Sequence, residues 1–286
     1  MSENRPTSPL RAAYRLIAPV GLRRRLAPLK LPYYLLCQNV RAFLGRDGAV
    51  SMRIRAVDGL VRVSAGDERI YVAATSRWNR YLGGVSTKCA DLAWQYGHGE
   101  VYKVEEGDTV IDIGANCGEY AMHCASRGAT VYALEADPRV FVPLTLNVRA
   151  WPAIRAFNLA VWNENRNIEI FSSPGTADSS AIRPETVETV FVQRAVTLDS
   201  FAEIMGIGDI KVIKCDAEGG EPEVLQGAAA CLRRARYVAF DCGPERQGQP
   251  TFDESLEILR RYGFELAESA ARGRRMLFAR NTAFKD

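Results

Sequence analysis

Two groups of residues in this chain have the types and spacing to do chemistry. The first is Val110-Ile111-Asp112-Ile113-Gly114-Ala115-Asn116-Cys117-Gly118, an apolar run that enters glycines and then a helical segment, Glu119 to Ser126. At the carboxyl end of the first strand of an open parallel sheet, glycine lets the backbone approach a ligand with no Cβ in the way. This turn is therefore a candidate cradle. Glu135 follows Gly114 by 21 residues, about where an acidic side chain accepts hydrogen bonds from the hydroxyl pair of a ribose. The second group is Lys214, Asp216 and Glu218, at alternate positions just before Gly219-Gly220. If the strand persists that far, period-two geometry puts all three on one face beside the ligand. A carboxylate there can take the proton of an acceptor hydroxyl, a contribution of typically ~10²–10⁴-fold, or orient the acceptor, with Lys214 steadying charge. Helix capping and pairing with Lys214 are the purely structural alternative for the same carboxylates.

Other chemistries fit less well. The glycines are spaced G-x-x-x-G, not the G-x-G-x-x-G that folds around a dinucleotide pyrophosphate, and no Tyr-x-x-x-Lys relay is present. An NAD(P)-dependent oxidoreductase is thus an alternative, as is a non-catalytic scaffold that only binds cofactor. A divalent metal such as Mg²⁺ between Asp216 and Asp241 is a further option, disfavoured because the next ligand would be Cys242, a soft thiol. Of the two histidines, His123 reads as a packed helix residue. His98, in a glycine-flanked turn, has the reach to swing over a cofactor but reads as an ordinary loop residue. Neither a Walker loop nor G-x-S-x-G occurs.

The elements that must position these residues alternate in type. Short apolar runs at Thr109–Ile113, Thr130–Leu134, Ile154–Phe157, Lys211–Cys215 and Tyr237–Phe240 are separated by helix-length segments, the pattern of a parallel sheet with helices on both faces. About fifty residues interrupt it, with β-like pieces at Ile168–Phe171 and Val190–Val192 around a polar turn at 172–175, an edge or lid over the site. The chain closes with a hairpin of Phe264–Leu266 and Met276–Ala279. Ahead of the sheet, residues 52–73 alternate as a small antiparallel meander.

At this point the sequence resembles a known family. The stretch Val110 to Gly118 with Glu119-Tyr120, then Leu134-Glu135-Ala136-Asp137-Pro138, Leu144 with Asn147-Val148, Asn158-Leu159-Ala160-Val161, Thr197-Leu198-Asp199, and Ile213 to Glu221 are similar, in that order, to FkbM-type S-adenosylmethionine-dependent methyltransferases. The resemblance covers roughly residues 100–245. It implies an α/β, Rossmann-like class I methyltransferase fold: a seven-stranded, mostly parallel sheet with an antiparallel terminal hairpin. It also implies S-adenosylmethionine as cofactor and methyl transfer to a hydroxyl of a sugar or small natural product. On this reading Asp112, Gly114, Ala115, Asn116, Gly118, Glu135, Ala136, Ala160, Val161 and Asp216 hold the cofactor, Asp216, Glu218 and Lys214 are catalytic, and no metal is bound. The sequence departs from the family pattern at Cys117, Ala136, Cys215 and Ala217, none of which removes a polar group.

Composition sets the frame. With 286 residues, 47% hydrophobic and 25% charged, the chain has enough apolar material for a full core, and no apolar stretch reaches the ~18 residues of a spanning helix. Residues 1–50 hold nine Lys/Arg against two acids, a net of +7, which leaves 28 basic against 32 acidic residues, a net of −4, for the rest. Such a leader is suited to a peripheral contact with an anionic membrane, although its interleaved Leu, Ile, Tyr and Phe point to packing on the main body. Nucleic acid is not expected as a substrate, since no N-P-P-[YF]-type tetrapeptide follows the fourth strand and acidic residues would repel phosphate there. Trp78, Tyr81, Trp94 and Tyr96 are candidates for an aromatic wall against a saccharide, or equally for core packing. Seven scattered cysteines with no C-x-x-C pair, and no secretory signal, place the protein in the cytoplasm. The sequence divides into a basic extension with its meander, 1–85, and a methyltransferase domain, 86–286.

Overall fold

The structure is a computed structural model, and it describes residues 20–46, 48–173, 178–183, 189–246, 248–269 and 276–284. Helix α1 (Val20–Phe43) leads into the antiparallel meander β1 (Met52–Val57), β2 (Leu60–Ala65) and β3 (Glu68–Val72), a 3₁₀ turn (Thr75–Tyr81) and α2 (Val85–Gln95). The alternating part follows as β4 (Thr109–Ile113), α3 (Glu119–Ala125), β5 (Thr130–Leu134), α4 (Pro138–Val148) and β6 (Ile154–Phe157). The interruption is a second sheet of β7 (Ala160–Val161), β8 (Arg166–Ser173), β9 (Asp178–Ser180) and β10 (Thr189–Val196). Then come α5 (Leu198–Met205), β11 (Ile210–Cys215), α6 (Glu221–Gln226), α7 (Ala229–Arg234), β12 (Ala235–Asp241), α8 (Phe252–Arg261), β13 (Phe264–Leu266) and β14 (Met276–Asn281). The polar turn at 172–175 and the tip of the last hairpin fall largely outside the described residues.

The main sheet has seven strands in the order β13-β14-β12-β11-β4-β5-β6, parallel except for β14, which runs antiparallel to both neighbours. It is the expected mostly parallel sheet with an antiparallel terminal hairpin. From β4 the chain first builds outward through β5 and β6, then returns to place β11 on the other side, so the crevice of such a sheet opens at the carboxyl ends of β4 and β11. Strand alternation sorts the core into two layers: Val110, Val131, Val212 and Ala239 face one, Ile111, Leu134, Ile213 and Phe240 the other. The first layer also contains Val63 and Ile70 of the meander. We propose residue 85 as the boundary between sequence units, across which a single core continues.

Helix α1 only partly matches the expectation of packing. Its inner face docks through the Gln38 amide, which donates to the carbonyls of Val50 (3.0 Å) and Leu82 (2.9 Å), and through Asn39, which pairs with both backbone groups of Met52. Tyr33, Leu36, Val40 and Phe43 face outward instead, because a helix that rests on a small meander has only one side to bury. Among the described residues no helix is long and apolar enough to cross a membrane.

Candidate active site

The turn after β4 uses left-handed backbone at Gly114 (φ 69°), Asn116 (φ 50°) and Gly118 (φ 92°). Gly114 is required on a second count: a Cβ there would lie 2.0 Å from the backbone oxygen of Asp216. The amides of Gly114 and Ala115 donate to the Leu134 carbonyl at 2.9 and 3.0 Å, which ties the turn to the end of β5. Just beyond, the Glu135 carboxylate takes the backbone N–H of Asn116 on one oxygen and that of Asp137 on the other, each at 2.9 Å. Glu135 is 7% exposed. Burial outweighs those two hydrogen bonds and pushes its carboxyl up to about 7. An ionised carboxylate has about four acceptor sites, so the two N–H groups leave room for further donors.

These groups line a cleft open to solvent. Gly114, Asn116, Glu135, Ala136, Ala160, Val161, Asp216 and Glu218 all border it. Of the other expected residues, Asp112, Ala115, Gly118 and Lys214 stand behind the lining and support it. Leu159 and Trp162 add apolar wall, and Ile168, Ile170 and Ser179 of the second sheet, with Ala181 just after it, form a roof. That roof is pinned at two points. Asp137 caps α4 and accepts from the hydroxyls of Ser172 (2.7 Å) and Ser179 (2.8 Å) as well as from Arg139. Burial would raise its carboxyl, but the hydrogen bonds from Arg139 and the two serines hold it below its usual range. Across the cleft, Ser180 Oγ donates to the Glu218 carbonyl at 2.6 Å.

The acidic cluster departs from the alternation that the sequence suggests. Strand β11 stops at Cys215, and Glu218 has a left-handed backbone (φ 49°), so Lys214, Asp216 and Glu218 do not share one strand face. The parallel register instead sets Lys214 beside Asp112. The Lys214 ammonium lies 3.0 Å from Asp112 Oδ1, donates to the carbonyls of Ile113 and Gly114, and sits 5.0 Å from the centre of the Tyr96 ring. Burial lowers the lysine's proton affinity, yet Asp112 and Asp216 more than offset this and leave it raised. Burial likewise raises Asp112, against the pull of Lys214. Asp216 borders the cleft and receives a hydrogen bond from the Tyr96 hydroxyl at 2.8 Å.

One support carried no role in the sequence reading. Glu221, fully buried, accepts from the amides of Ala217 and Gly219 (3.1 Å each) and from Thr251 Oγ1 (2.7 Å), and so fixes the loop that presents Glu218. Burial raises its carboxyl to about 7. Its signals in the sequence are its place after Gly219-Gly220 and at the end of the family-like stretch from Ile213. Tyr96 and Tyr81 pack in the core, Tyr81 donating to Glu119 at 2.7 Å, and Trp94 is surface-exposed. None of Trp78, Tyr81, Trp94 or Tyr96 lines the cleft, where the aromatic wall is Trp162. His98 and His123 meet edge to face, with ring centres 4.7 Å apart, and are not part of the lining. Among the described residues no three His, Cys, Asp or Glu side chains gather as a metal site.

The chain is similar to several known proteins. Hexuronic acid methyltransferase AglP of Haloferax volcanii is 28% identical over 140 residues, which is 49% of this chain and 57% of that protein. This chain therefore spans little more than half the length of that relative. 2-O-methyltransferase NoeI of Sinorhizobium fredii is 26% identical over 234 residues, 72% of this chain and 92% of that one. Fibrillarin of Aeropyrum pernix, solved with natively bound S-adenosyl-L-methionine, aligns with a TM-score of 0.43 at 15% identity, over 80% of this chain and 99% of the other. The methyltransferase FkbM domain model matches residues 112–266. With more than half of its length under that model, from Asp112 on β4 to Leu266 on β13, the chain belongs to the FkbM methyltransferase family.

Proposed function

We propose that this protein transfers a methyl group from S-adenosylmethionine to a hydroxyl oxygen of a saccharide. The observation that carries the reading is the joining, in one cleft, of a ribose-type carboxylate, Glu135, with a second carboxylate, Asp216, across the glycine turn. The donor and acceptor groups fit the nucleoside. Glu135 keeps acceptor capacity for two hydroxyls, and Ala136, Leu159, Val161 and Trp162 offer an apolar slot for a flat base. Gly114 and Asn116 would border the aminoacyl end. When bound, S-adenosylmethionine supplies a methyl group already activated on a sulfonium.

What remains for the chain is to align the acceptor and to take its proton. Orientation of this kind can supply roughly 7–11 kcal/mol of a barrier. Asp216 is the base or orienting group in this reading, held in place by Tyr96, with Glu218 beside it on the loop that Glu221 fixes. Lys214 acts from behind the cleft as a buried counter-charge to Asp112 and Asp216. The names of the two relatives suggest hexuronic acids and sugars with a free 2-hydroxyl as first acceptors to try. The seven cysteines, all unpaired, support a reducing, cytoplasmic setting.

Calorimetry with S-adenosylhomocysteine and a methyl-transfer assay over such sugars test the reading. Asp216→Asn is expected to lower kcat by ~10²–10⁴-fold in protein that is still folded and still binds S-adenosylhomocysteine. Absence of nucleoside binding by folded protein would overturn the cofactor assignment. Wild-type turnover by Asp216→Asn would overturn the role of Asp216.

A further inference from the structure

Among the described residues, helix α1 carries an exposed apolar face. Eleven large apolar side chains are exposed among the described residues, and five of them, Tyr33, Leu36, Val40, Phe43 and Leu44, fall within one stretch of α1 and its closing turn. They are well exposed, Leu36 at 64% and Phe43 at 89%. At 3.6 residues per turn, Tyr33, Leu36, Val40 and Phe43 lie within an arc of about 80°. The arc faces away from the body: Gln38, buried on the opposite side of the helix, holds Val50 and Leu82, and Asn39, on the flank next to Phe43, holds Met52. Arg41, about 80° round the helix from the nearest edge of the arc, and Arg46, just past the closing turn, are exposed, and residues 20–46 carry six Lys/Arg and no acid.

We propose that this face of α1 docks the protein on an anionic lipid bilayer, with the apolar arc in the headgroup–acyl boundary and the basic residues on lipid phosphates. Charge and apolar surface together select that occupant. A helix lying in the interface needs an apolar face and a basic rim, and each Lys/Arg near an anionic leaflet strengthens binding by about fivefold. A second copy would bring another +7 segment against the first, and a phosphate backbone is read by charge and hydrogen bonds rather than by an aliphatic stripe. The helix rests on the leaflet rather than spanning it, for it is not apolar enough to cross. Its position on the meander keeps the arc away from the cleft residues, so docking and the reaction use different surfaces.

The test is co-sedimentation of the full chain with phosphatidylcholine vesicles, with and without phosphatidylglycerol. Binding is expected only with phosphatidylglycerol and is expected to weaken as salt rises. Arg41→Glu is expected to reduce the partition by more than the fivefold of simple charge removal. The double variant Leu36→Glu/Phe43→Glu is expected to reduce it by at least tenfold with its thermal midpoint unchanged, because both side chains are exposed in the free protein. Three results each overturn the proposal: no association with phosphatidylglycerol vesicles, equal association of wild type and the double variant, or a wild-type dimer in analytical ultracentrifugation that the double variant breaks. Binding of duplex DNA lost in the same double variant would also overturn it.

Discussion

The protonation of Glu135 should govern nucleoside affinity, and the effect can be worked from the site. The free protein holds this carboxyl near 7, where burial has driven it. Ribose hydroxyls donate to the ionised form, so binding must be to the carboxylate. With a midpoint of about 7, roughly ten-elevenths of the protein is ionised at pH 8 and about one-eleventh at pH 6. The Kd is therefore expected to rise about tenfold as pH falls from 8 to 6, with nearly one proton released per nucleoside bound at pH 6. Adenosine is the probe of choice, because it carries the ribose hydroxyls but no α-amino or carboxyl group whose charge would enter the pH dependence. Calorimetry in two buffers of different ionisation enthalpy reads both the affinity and the proton. Glu221 also sits near 7 but does not line the cleft, so Glu135→Gln separates the two. The variant should bind adenosine about 10–100-fold more weakly at pH 8, the loss of one charge-assisted hydrogen bond, and should show no pH dependence between 6 and 8. Its single amide oxygen cannot serve both Asn116 and Asp137 as the carboxylate does. A wild-type Kd that stays constant within twofold from pH 6 to 8, in folded protein, refutes the assignment of Glu135 to the sugar.

The same two glutamates set the pH dependence of stability. Folded Glu135 and Glu221 hold their protons to about 7 against an ordinary 4.5. The folded state then binds more protons than the unfolded one between those values, and stability falls as pH rises across that window, by at most roughly 3 kcal/mol for each. Thermal unfolding of the free protein should show a midpoint several degrees higher at pH 5.5 than at pH 8. Lys214→Met removes the counter-charge of the fully buried Asp112 and is expected to cost about 3–5 kcal/mol in urea unfolding. The double variant with Asp112→Asn should recover part of that loss; strict additivity would argue against the pair. Gly114→Ala must meet the Asp216 carbonyl at 2.0 Å in a left-handed backbone, so it is expected to lose at least ~2 kcal/mol and most affinity for S-adenosylhomocysteine. Near wild-type binding by that variant would mean that the turn and Asp216 are less closely joined than the structure has them.

What could be read in the sequence depends on how far apart the cooperating residues are. Strands β4, β5 and β6 begin and end where the sequence reading places them; for β4 and β5 the reason is that a strand buried on both faces reads as a mostly apolar run. Gly114 and Glu135 were legible for the same reason: each sits at the carboxyl end of such a run, and the ligand-binding edge of a parallel sheet is fixed by topology. The supports were not. Tyr96 reaches Asp216 across 120 residues, and Ser172 and Ser179 reach Asp137 across 35 and 42. No periodicity encodes a contact between a helix end and a strand end that only the folded sheet brings together. Lys214 shows the failure most clearly. Alternation along its own strand suggested a shared face with Asp216 and Glu218, but its partner is the neighbour set by register on β4, Asp112, and the backbone turns before Glu218 is reached. Helix α1 makes the complementary point. Its 3.6-residue apolar repeat shows that a stripe exists but not whether the stripe faces the body or the surroundings, and here the polar Gln38 and Asn39 hold the body while Leu36 and Phe43 face out. A one-dimensional pattern fixes which residues share a face, and only the contacts of the opposite face decide what that surface is for.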